Sequence, residues 1–355
     1  MRVEGAHGYR LTQPGGRLAD VELPPLVPAA DHVVVEVAGC GLCHTDLGYA
    51  YDNVPTRHPL PLILGHEIAG RVVDAGDRAA EWLGRSVIVQ AVIPCGSCEA
   101  CLANRPTICR KQFMPGNDGD GGFASHVLVP ARGLCAVPDV LPHGLTLDML
   151  AVVADAVTTP YEAMTRAEVG SDDLVVVVGA GGIGGFGVQI AAAFGATVVA
   201  IDVDDERLAL AKQHGATLAL NPKNLDGKMM KSSIRGLSRE SGRGHVGWKI
   251  FEMSGNAAGQ QTAWGLLDFG AYLAVVGYTA EKVELRLSNL MAFDATARGN
   301  WGCAPANYPP ALKLVLERKI VLDPYVERHT LSELPELFEA ANRHEIRRRA
   351  IVRPQ

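Results

Sequence analysis

The chain has 355 residues, of which 48% are hydrophobic and 20% charged, and its formal net charge is −6. This length predicts about two domains, each large enough to bury its own core. The acidic balance gives no positive field for a phosphate backbone, and no apolar run approaches the ~20 residues of a membrane span, so we expect neither a nucleic-acid nor a membrane partner. No apolar signal peptide precedes the first domain, which predicts a cytoplasmic protein with reduced thiols.

The first 150 residues contain short apolar segments that Gly and Pro interrupt, which is typical of an irregular β-rich domain. Three segments have the Val and Ile content of strands: HVVVEVAGCG, EIAGRVVDAG and SVIVQAVIPCG. Between the first segment and the start of the second lie two groups of metal-ligating residue types, Cys43 in GLCHTD and His66-Glu67 in GHEIAG. Taken singly, each has an ordinary explanation as a buried core cysteine or a hydrogen-bonded loop histidine.

Four of the eight cysteines form a C-x2-C-x2-C-x7-C pattern at Cys95, Cys98, Cys101 and Cys109. Thiolates bind Zn²⁺ well, and ligands on successive tight turns with a fourth a short loop later can close a tetrahedron. Unrelated free cysteines or disulfides are the alternatives, and fifteen residues is a short stretch for four unrelated cysteines. The spacing therefore predicts a structural zinc lobe at about residues 94–110.

From Asp173 onward, apolar runs without polar alternation alternate with helical segments. The runs are LVVVVG, TVVAID, WKIFEMSG and AYLAVVGY, and such runs indicate strands that are buried on both faces of a parallel sheet. The sequence therefore predicts a doubly wound α/β domain. After about residue 295 we expect a helix at ALKLVLERK and a final strand at AIVRP that returns to the first domain.

A glycine-rich turn follows LVVVV directly and opens an apolar helix, which is the context of a dinucleotide-binding loop. Its residues are Gly179, Gly181, Gly182, Ile183 and Gly184. Asp202 ends the next predicted strand, where a carboxylate accepts both ribose hydroxyls of adenosine and repels a 2′-phosphate. This favours NAD over NADP, with a plain turn aspartate as the alternative.

Together, GCGLCHTD, GHEIAG, the four-cysteine lobe, DGGFASH and VVGAGGIGG resemble the medium-chain zinc-dependent alcohol dehydrogenase family over essentially the whole chain. The resemblance implies a GroES-like β-rich catalytic domain at residues 1–150 and 295–355, and a Rossmann NAD-binding domain at 151–294. It also implies two zincs per chain, NAD as cofactor, a small-molecule substrate and a homodimer or homotetramer. An open zinc site makes an alkoxide available near neutral pH.

The resemblance assigns roles residue by residue. Cys43 and His66 match catalytic zinc ligands, and Glu67 matches a nearby carboxylate that ligates the metal or assists ligand exchange. Thr45 matches the hydroxyl that takes the substrate proton, and Asp46 matches the carboxylate that orients the ligand histidine. The remaining matches, to positions that contact the cofactor pyrophosphate, are His44 and Arg349.

Two positions depart from the family pattern. Asp155 stands where the family often has a cysteine ligand, and we interpret it as the third protein ligand, with a helix-capping aspartate as the alternative. Gly48 stands where many relatives have the histidine that hands the proton to solvent, so the proton relay must end differently here.

A narrower resemblance is to the 6-hydroxycyclohex-1-ene-1-carbonyl-CoA dehydrogenases of anaerobic benzoyl-CoA degradation. The stretches that carry it include VVADAVTTPYEAM, MPGNDGDGGFASH, GWKIFEMSG, GYTAEKVELRLSNLMAFDA and GNWGCAPANYP. It implies a cyclic allylic secondary alcohol with a CoA thioester, and cations for the CoA phosphates would come from Arg57, Arg286, Arg298 or Lys319. The alternatives are a general zinc-dependent alcohol dehydrogenase, a zinc-free enoyl or quinone reductase, and a non-catalytic NAD- or zinc-binding protein.

Overall fold

The computed structural model describes residues 5–354, which divide into two compact units. The first unit comprises residues 5–158, Gly302–Leu316 and 325–354, and the second comprises Thr159–Trp301 and Glu317–Pro324. The domain ranges expected from the sequence change at 150 and 294, a few residues before these divisions, and their residues 1–4 and 355 lie outside the described part.

The strands, in chain order, are β1 His7–Leu11, β2 Ala19–Glu22, β3 His32–Gly41, β4 Leu62–Ile63, β5 Glu67–Ala75, β6 Ser86–Val89, β7 His126–Pro130, β8 Leu134–Ala136, β9 Leu174–Val178, β10 Thr197–Ile201, β11 Leu218–Leu220, β12 Lys249–Glu252, β13 Tyr272–Val275, β14 Thr296–Gly299, β15 Val326–Thr330 and β16 Arg349–Arg353. The α-helices are α1 His44–Tyr51, α2 Glu99–Leu102, α3 Thr158–Arg166, α4 Gly184–Ala193, α5 Asp205–Gln213, α6 Gly227–Ser241, α7 Ala257–Gly265, α8 Ser288–Phe293, α9 Tyr308–Leu316 and α10 Leu334–Asn342. The 3₁₀ turns are Asp77–Trp82, Pro106–Ile108, Ala131–Gly133, Asp148–Ala154, Pro305–Asn307, Asp323–Tyr325 and Leu331–Glu333. None of the helices in residues 5–354 has the length and apolar character to cross a bilayer.

The first unit is built on a seven-stranded sheet in the order β15-β16-β3-β5-β6-β8, in which β7 also pairs with β3. The three strands predicted from Val and Ile content are β3, β5 and β6. The final strand β16 pairs antiparallel with β3, so the C-terminal segment returns to the first unit as predicted. Phe123 and Phe338 meet edge to face in its core, with ring centroids 5.5 Å apart, and join the segment before β7 to α10.

The second unit holds a six-stranded sheet in the order β11-β10-β9-β12-β13-β14, and every pairing in it is parallel. All five residues of β9 are buried, which explains the unbroken LVVVV run. The chain runs outward from β9 to β11 and then returns to place β12 on the other side of β9, so the strand order switches at the carboxyl end of β9. The crevice at such a switch point is where doubly wound sheets bind ligands.

Two strands of this sheet were not anticipated. β11 has only three residues, Leu-Ala-Leu, without the β-branched side chains that mark the other strands. β14 is the outer strand of the sheet and its four residues are exposed, so it lacks the buried apolar pattern by which strands are recognised. It lies beyond residue 294, where we expected the chain to have left the wound domain.

The turn after β9 generates a stability prediction. A Cβ atom on Gly184 would lie 1.6 Å from the carbonyl oxygen of Gly179, whereas nothing lies within 4 Å of a Cβ on Gly236 in α6. We expect Gly184→Ala to destabilise the protein by about 1–3 kcal/mol, because the turn must open to admit the methyl group. Gly236→Ala is the matched control and should stabilise it by about 0.5–1 kcal/mol, since Gly is unfavourable inside a helix. Urea denaturation followed by circular dichroism measures both changes, and a Gly184→Ala midpoint equal to that of Gly236→Ala would contradict the expectation.

Candidate active site

The four cysteines of the predicted lobe converge in the structure. Their sulfur atoms all lie within 4.8 Å of one another. Cys98 Sγ is 3.5 Å from Cys101 Sγ and 3.7 Å from Cys109 Sγ, and Cys95 Sγ is 4.0 Å from Cys101 Sγ. A zinc tetrahedron with bonds of about 2.3 Å has edges of about 3.8 Å, so the four thiols fit a structural zinc ion.

Backbone N–H groups of the lobe point at two of these thiols. The Cys98 N–H lies 3.3 Å from Cys95 Sγ, and the Cys95 N–H lies 3.4 Å from Cys109 Sγ. The backbone N–H groups of Ser97 and Cys98 lower the pKa of the Cys95 thiol to about 5. Since the thiolate is the form that binds metal, this backbone favours the ligand state of Cys95.

A second group of ligand atoms comes from three distant parts of the first unit. Cys43 immediately precedes α1, His66 immediately precedes β5, and Asp155 follows the 3₁₀ turn Asp148–Ala154. Asp155 Oδ2 lies 3.8 Å from Cys43 Sγ and 3.7 Å from His66 Nε2. With Glu67, the first residue of β5, these residues form a group whose ligand atoms lie within 4.8 Å of one another.

The separations and the atom types in this group suit zinc. One sulfur, one imidazole nitrogen and one carboxylate oxygen are ordinary zinc ligands, and three protein ligands leave a tetrahedral ion one position for substrate. The Cys43 and His66 side chains are buried, whereas the Asp155 side chain is 15% exposed. The accessible side of the group is therefore the side where Asp155 lies.

Asp46 supports two of these ligands from behind. Its fully buried carboxylate accepts the N–H of Cys43 at 3.0 Å and the N–H of Gly65 at 3.1 Å. Its Oδ1 also lies 3.4 Å from His66 Nδ1, on the side of the ring away from Asp155. A carboxylate behind a ligand histidine fixes the ring orientation and makes the nitrogen that faces the metal a better ligand.

Thr45 and His44 lie on the first turn of α1. Thr45 is half-buried, and its Oγ1 lies 3.6 Å from Cys43 Sγ, which brings a hydroxyl beside the ligand group. His44 is exposed. Gly48, on the next turn of the helix, is buried. The pyrophosphate contact of His44 stays a prediction.

Glu67 and Arg349 form a buried ion pair beside the ligands. Arg349 Nε donates to Glu67 Oε2 at 3.1 Å and Arg349 Nη2 donates to Oε1, so the contact is bidentate. Burial raises the pKa of the Glu67 carboxyl, and the Arg349 guanidinium opposes that rise. A Cβ on Gly41 would lie 2.0 Å from Glu67 Oε2, so the glycine after Cys40 makes room for this pair. The pyrophosphate contact of Arg349 also stays a prediction.

The glycine loop lies in the second unit at the carboxyl end of β9. Gly179 has a φ of +89°, and a Cβ there would lie 2.5 Å from Ser254 Cα, so this position requires glycine. Gly181, Gly182 and Ile183 are half-buried in the turn, and α4 begins at Gly184. The amino end of α4 presents N–H groups and a positive dipole end to a phosphate.

Asp202 is attached to this loop. Its Oδ2 accepts the Ala180 N–H at 2.7 Å, and its Oδ1 accepts the Asp204 N–H at 3.0 Å. The two bonds hold a carboxylate at the carboxyl end of β10, beside the dinucleotide turn, which is where an adenosine ribose is bound in this class of sheet.

Sequence reasoning missed Arg207. It lies in the first turn of α5, and its Nη1 is 3.3 Å from where a Cβ on Gly181 would stand. The three residues that directly follow Asp202 include no cation. Side chains in a helix point toward its amino end, so a helix that starts at Asp205 directs the side chain of Arg207 toward the preceding loop. Recognising Asp204 as the N-cap of this helix would have identified Arg207 from the sequence.

The cations considered for a CoA tail have mostly local partners. Arg57 Nη1 lies 3.3 Å from Asp118 Oδ1, and Lys319 Nζ lies 3.0 Å from Glu317 Oε2. Arg286 donates to Ser288 Oγ at 3.0 Å. Arg298 lies on the exposed strand β14.

A four-thiolate lobe, an open group of sulfur, nitrogen and oxygen ligands and a dinucleotide turn define a zinc-dependent nicotinamide dehydrogenase. Residues 29–139 match the alcohol dehydrogenase GroES-like domain, and residues 182–317 match the zinc-binding dehydrogenase family. L-threonine 3-dehydrogenase of Streptomyces coelicolor is 32% identical over 325 residues, which cover 88% of this chain and 89% of that protein. An alcohol dehydrogenase of Geobacillus stearothermophilus is 29% identical over 338 residues, 95% of each chain.

Solved structures agree with these matches. The crystal structure of galactitol-1-phosphate dehydrogenase from Escherichia coli has a TM-score of 0.88 to this chain at 26% identity, and covers 98% of this chain and 100% of that one. The chain belongs to the medium-chain zinc-type alcohol dehydrogenase family. The predicted GroES-like and Rossmann folds are confirmed, and the protein is an oxidoreductase whose cofactors are zinc and a nicotinamide dinucleotide.

The position of Asp155 generates a prediction about metal content. Asp155→Asn keeps the size of the side chain but removes its charge, so we expect the zinc at Cys43 and His66 to be weakened and turnover to fall by about 100-fold or more. Cys101→Ser is the matched comparison, since it should release the other zinc and lower stability. Native mass spectrometry should give two zincs per chain for the unaltered protein and one for each variant.

A merely capping aspartate would give a different result, because Asn caps a helix about as well as Asp. Normal zinc content and turnover in Asp155→Asn would remove Asp155 from the ligand set.

Proposed function

We propose that this protein oxidises a secondary alcohol with NAD at a zinc ion held by Cys43, His66 and Asp155. The observation that carries the proposal is that three unlike ligand atoms meet. Asp155 Oδ2 lies 3.8 Å from Cys43 Sγ and 3.7 Å from His66 Nε2, and the Asp155 side chain is the most exposed of the three. Structural zinc sites are closed by four protein ligands, whereas catalytic sites keep a position for substrate.

The residues around this group have distinct tasks in the proposed reaction. Bound zinc lowers the pKa of an alcohol hydroxyl at its open position. The Thr45 hydroxyl lies beside Cys43 and would accept the proton that the alcohol releases, while giving up its own proton toward a bound cofactor ribose. Since Gly48 supplies no side chain to continue the relay, the proton reaches solvent through water. Asp46 keeps His66 oriented, and the glycine turn with Asp202 would hold a nicotinamide dinucleotide, which would supply the hydride acceptor.

The finer proposal is that the alcohol is 6-hydroxycyclohex-1-ene-1-carbonyl-CoA, oxidised to the 6-oxo product in anaerobic benzoyl-CoA degradation. Its support is the set of long sequence stretches quoted above. The chemistry is favourable, because the product ketone is conjugated with the ring alkene. Three of the cations considered for the CoA phosphates, Arg57, Arg286 and Lys319, already have polar partners in the structure.

A general alcohol or polyol dehydrogenase is the second candidate. The relatives quoted above favour it, since their names specify an alcohol, L-threonine and a polyol phosphate as substrates. The same zinc, Thr45 and NAD site serves either substrate class, so the two candidates differ only in what surrounds the reacting carbon.

We also propose that the protein is a cytoplasmic homodimer or homotetramer. The support for self-association is β14, which ends the sheet order of the second unit with four exposed residues. An outer strand of this kind pairs readily with another chain unless it is covered. Leu287 is 71% exposed and Met291 78% exposed on the neighbouring segment, which adds apolar surface for a subunit contact. A reducing compartment would keep the zinc-binding thiols available.

Asp202 generates a prediction about cofactor choice. We expect kcat/KM with NAD to exceed that with NADP by at least about tenfold, because a 2′-phosphate beside a carboxylate costs several kcal/mol. Asp202→Gly should narrow the ratio by removing both the repulsion and a ribose acceptor. Arg207→Ala should instead widen it, since the loss of a cation weakens the more highly charged cofactor more. Equal use of the two cofactors by the unaltered protein would contradict the role given to Asp202.

The substrate proposal is tested by kinetics with three alcohols. The CoA thioester should exceed cyclohex-2-enol and the free acid in kcat/KM by about 100-fold or more, because binding energy from the remote CoA tail orients the reacting ring. The loss should appear in kcat as well as in KM. If cyclohex-2-enol or ethanol matched the thioester, the protein would be a general alcohol dehydrogenase, and no turnover of any alcohol would leave a non-catalytic NAD- and zinc-binding protein.

A further inference from the structure

We propose that Tyr308 is a positioning residue for Asp155, and that its buried hydroxyl holds the backbone that presents this ligand to zinc. The inference rests on the zinc site of the proposed function and adds to it a residue that touches neither metal nor substrate. Tyr308 begins α9, far from the metal ligands in the sequence and in the same unit as all three of them.

The hydroxyl of Tyr308 joins two other segments. It donates to the Ala154 carbonyl oxygen at 2.8 Å and accepts the Ala91 N–H at 3.1 Å. Ala154 directly precedes Asp155, and Ala91 lies just after β6 in the segment that leads to the zinc lobe. One oxygen atom therefore connects the backbone beside Asp155 to the segment that follows β6 and to α9.

The Ala154 carbonyl needs partners from outside its own turn. The 3₁₀ turn ends at Ala154, and Asp155 leaves helical geometry with φ −141° and ψ −58°. The last carbonyls of a helical segment have no partner within it. Here the Thr158 hydroxyl also donates to the Ala154 oxygen, at 3.1 Å, so two side chains fix this peptide plane.

The surroundings make the Tyr308 bonds hard to replace. The residue is 1% exposed, and burial raises the pKa of its hydroxyl well above the usual value, so the hydroxyl keeps the proton that it donates. No water would readily substitute in so closed a place. Loss of the hydroxyl would leave the Ala91 N–H without this acceptor, and an unsatisfied buried donor costs about 1–3 kcal/mol. The backbone would move to satisfy it, and a movement at Ala154 carries Asp155 with it.

Tyr308→Phe tests this inference, because it removes one oxygen and keeps the ring. We expect zinc at the Cys43 site to pass to a colorimetric chelator about tenfold faster than in the unaltered protein, with the lobe zinc unchanged. Zinc release from two sites should give two kinetic phases. Cys101→Ser is expected to lack the lobe zinc, so the phase that remains in this variant belongs to the Cys43 site. The cobalt-substituted variant should also show a shifted visible absorption band, which reports ligand geometry without turnover.

Tyr325→Phe is the matched control, since Tyr325 is another buried tyrosine of the first unit. It should leave zinc release and the cobalt spectrum unchanged. Thr158→Val removes the other donor to Ala154 and should accelerate release in the same direction. A folded Tyr308→Phe protein with unchanged release and spectrum would overturn the inference. If Tyr308→Phe does not fold, Thr158→Val decides, and unchanged release in that variant overturns it.

The outcome separates this inference from the proposed function. If Asp155→Asn retains its zinc, the ligand set itself is wrong. If Asp155→Asn loses zinc while Tyr308→Phe releases zinc at the rate of the unaltered protein, the proposed zinc site stands and only the positioning role of Tyr308 fails.

Discussion

The buried carboxylate of Asp46 is the interaction on which the zinc site depends. It receives the backbone N–H groups of Cys43 and Gly65, so it joins the amino end of α1 to the segment before β5. The same carboxylate lies behind the His66 ring. Two ligands from separate segments are thus held by one acceptor, and their relative position is set before any metal arrives. A fully buried carboxylate is costly unless hydrogen bonds satisfy it, which is why it meets several donors at once.

Local sequence patterns made the four-cysteine lobe and the turn after β9 predictable. Four cysteines within one short segment reach one another through turns, so their spacing alone specified the zinc lobe. The buried Val run of β9 and the glycines after it likewise specify a strand, a turn and a helix from neighbouring residues. These features were predicted because each depends on contacts between residues that are close in sequence.

Features built from distant segments were not open to such reasoning. Asp155 was identified only through family resemblance, and its approach to Cys43 spans more than a hundred residues. The bonds of Tyr308 to Ala91 and Ala154 have no sequence signature, because any buried tyrosine has the same local pattern. β14 was missed for a different reason, since an exposed edge strand lacks the apolar alternation that marks strands.

Charge balance explains why Glu67 is paired beside the metal ligands. In the proposed site the Cys43 thiolate and the Asp155 carboxylate would together neutralise a divalent ion, so a further unpaired carboxylate at β5 would weaken the attraction of that ion for an alcohol oxygen. Arg349 removes this excess by meeting Glu67 with two nitrogens in a buried place. A buried ion pair contributes little to stability by itself, because desolvation offsets the attraction. The ion pair acts on the site instead. It keeps the Glu67 carboxylate near the proposed metal ligands, and the Arg349 charge prevents that carboxylate from weakening the effect of the metal on a bound alcohol.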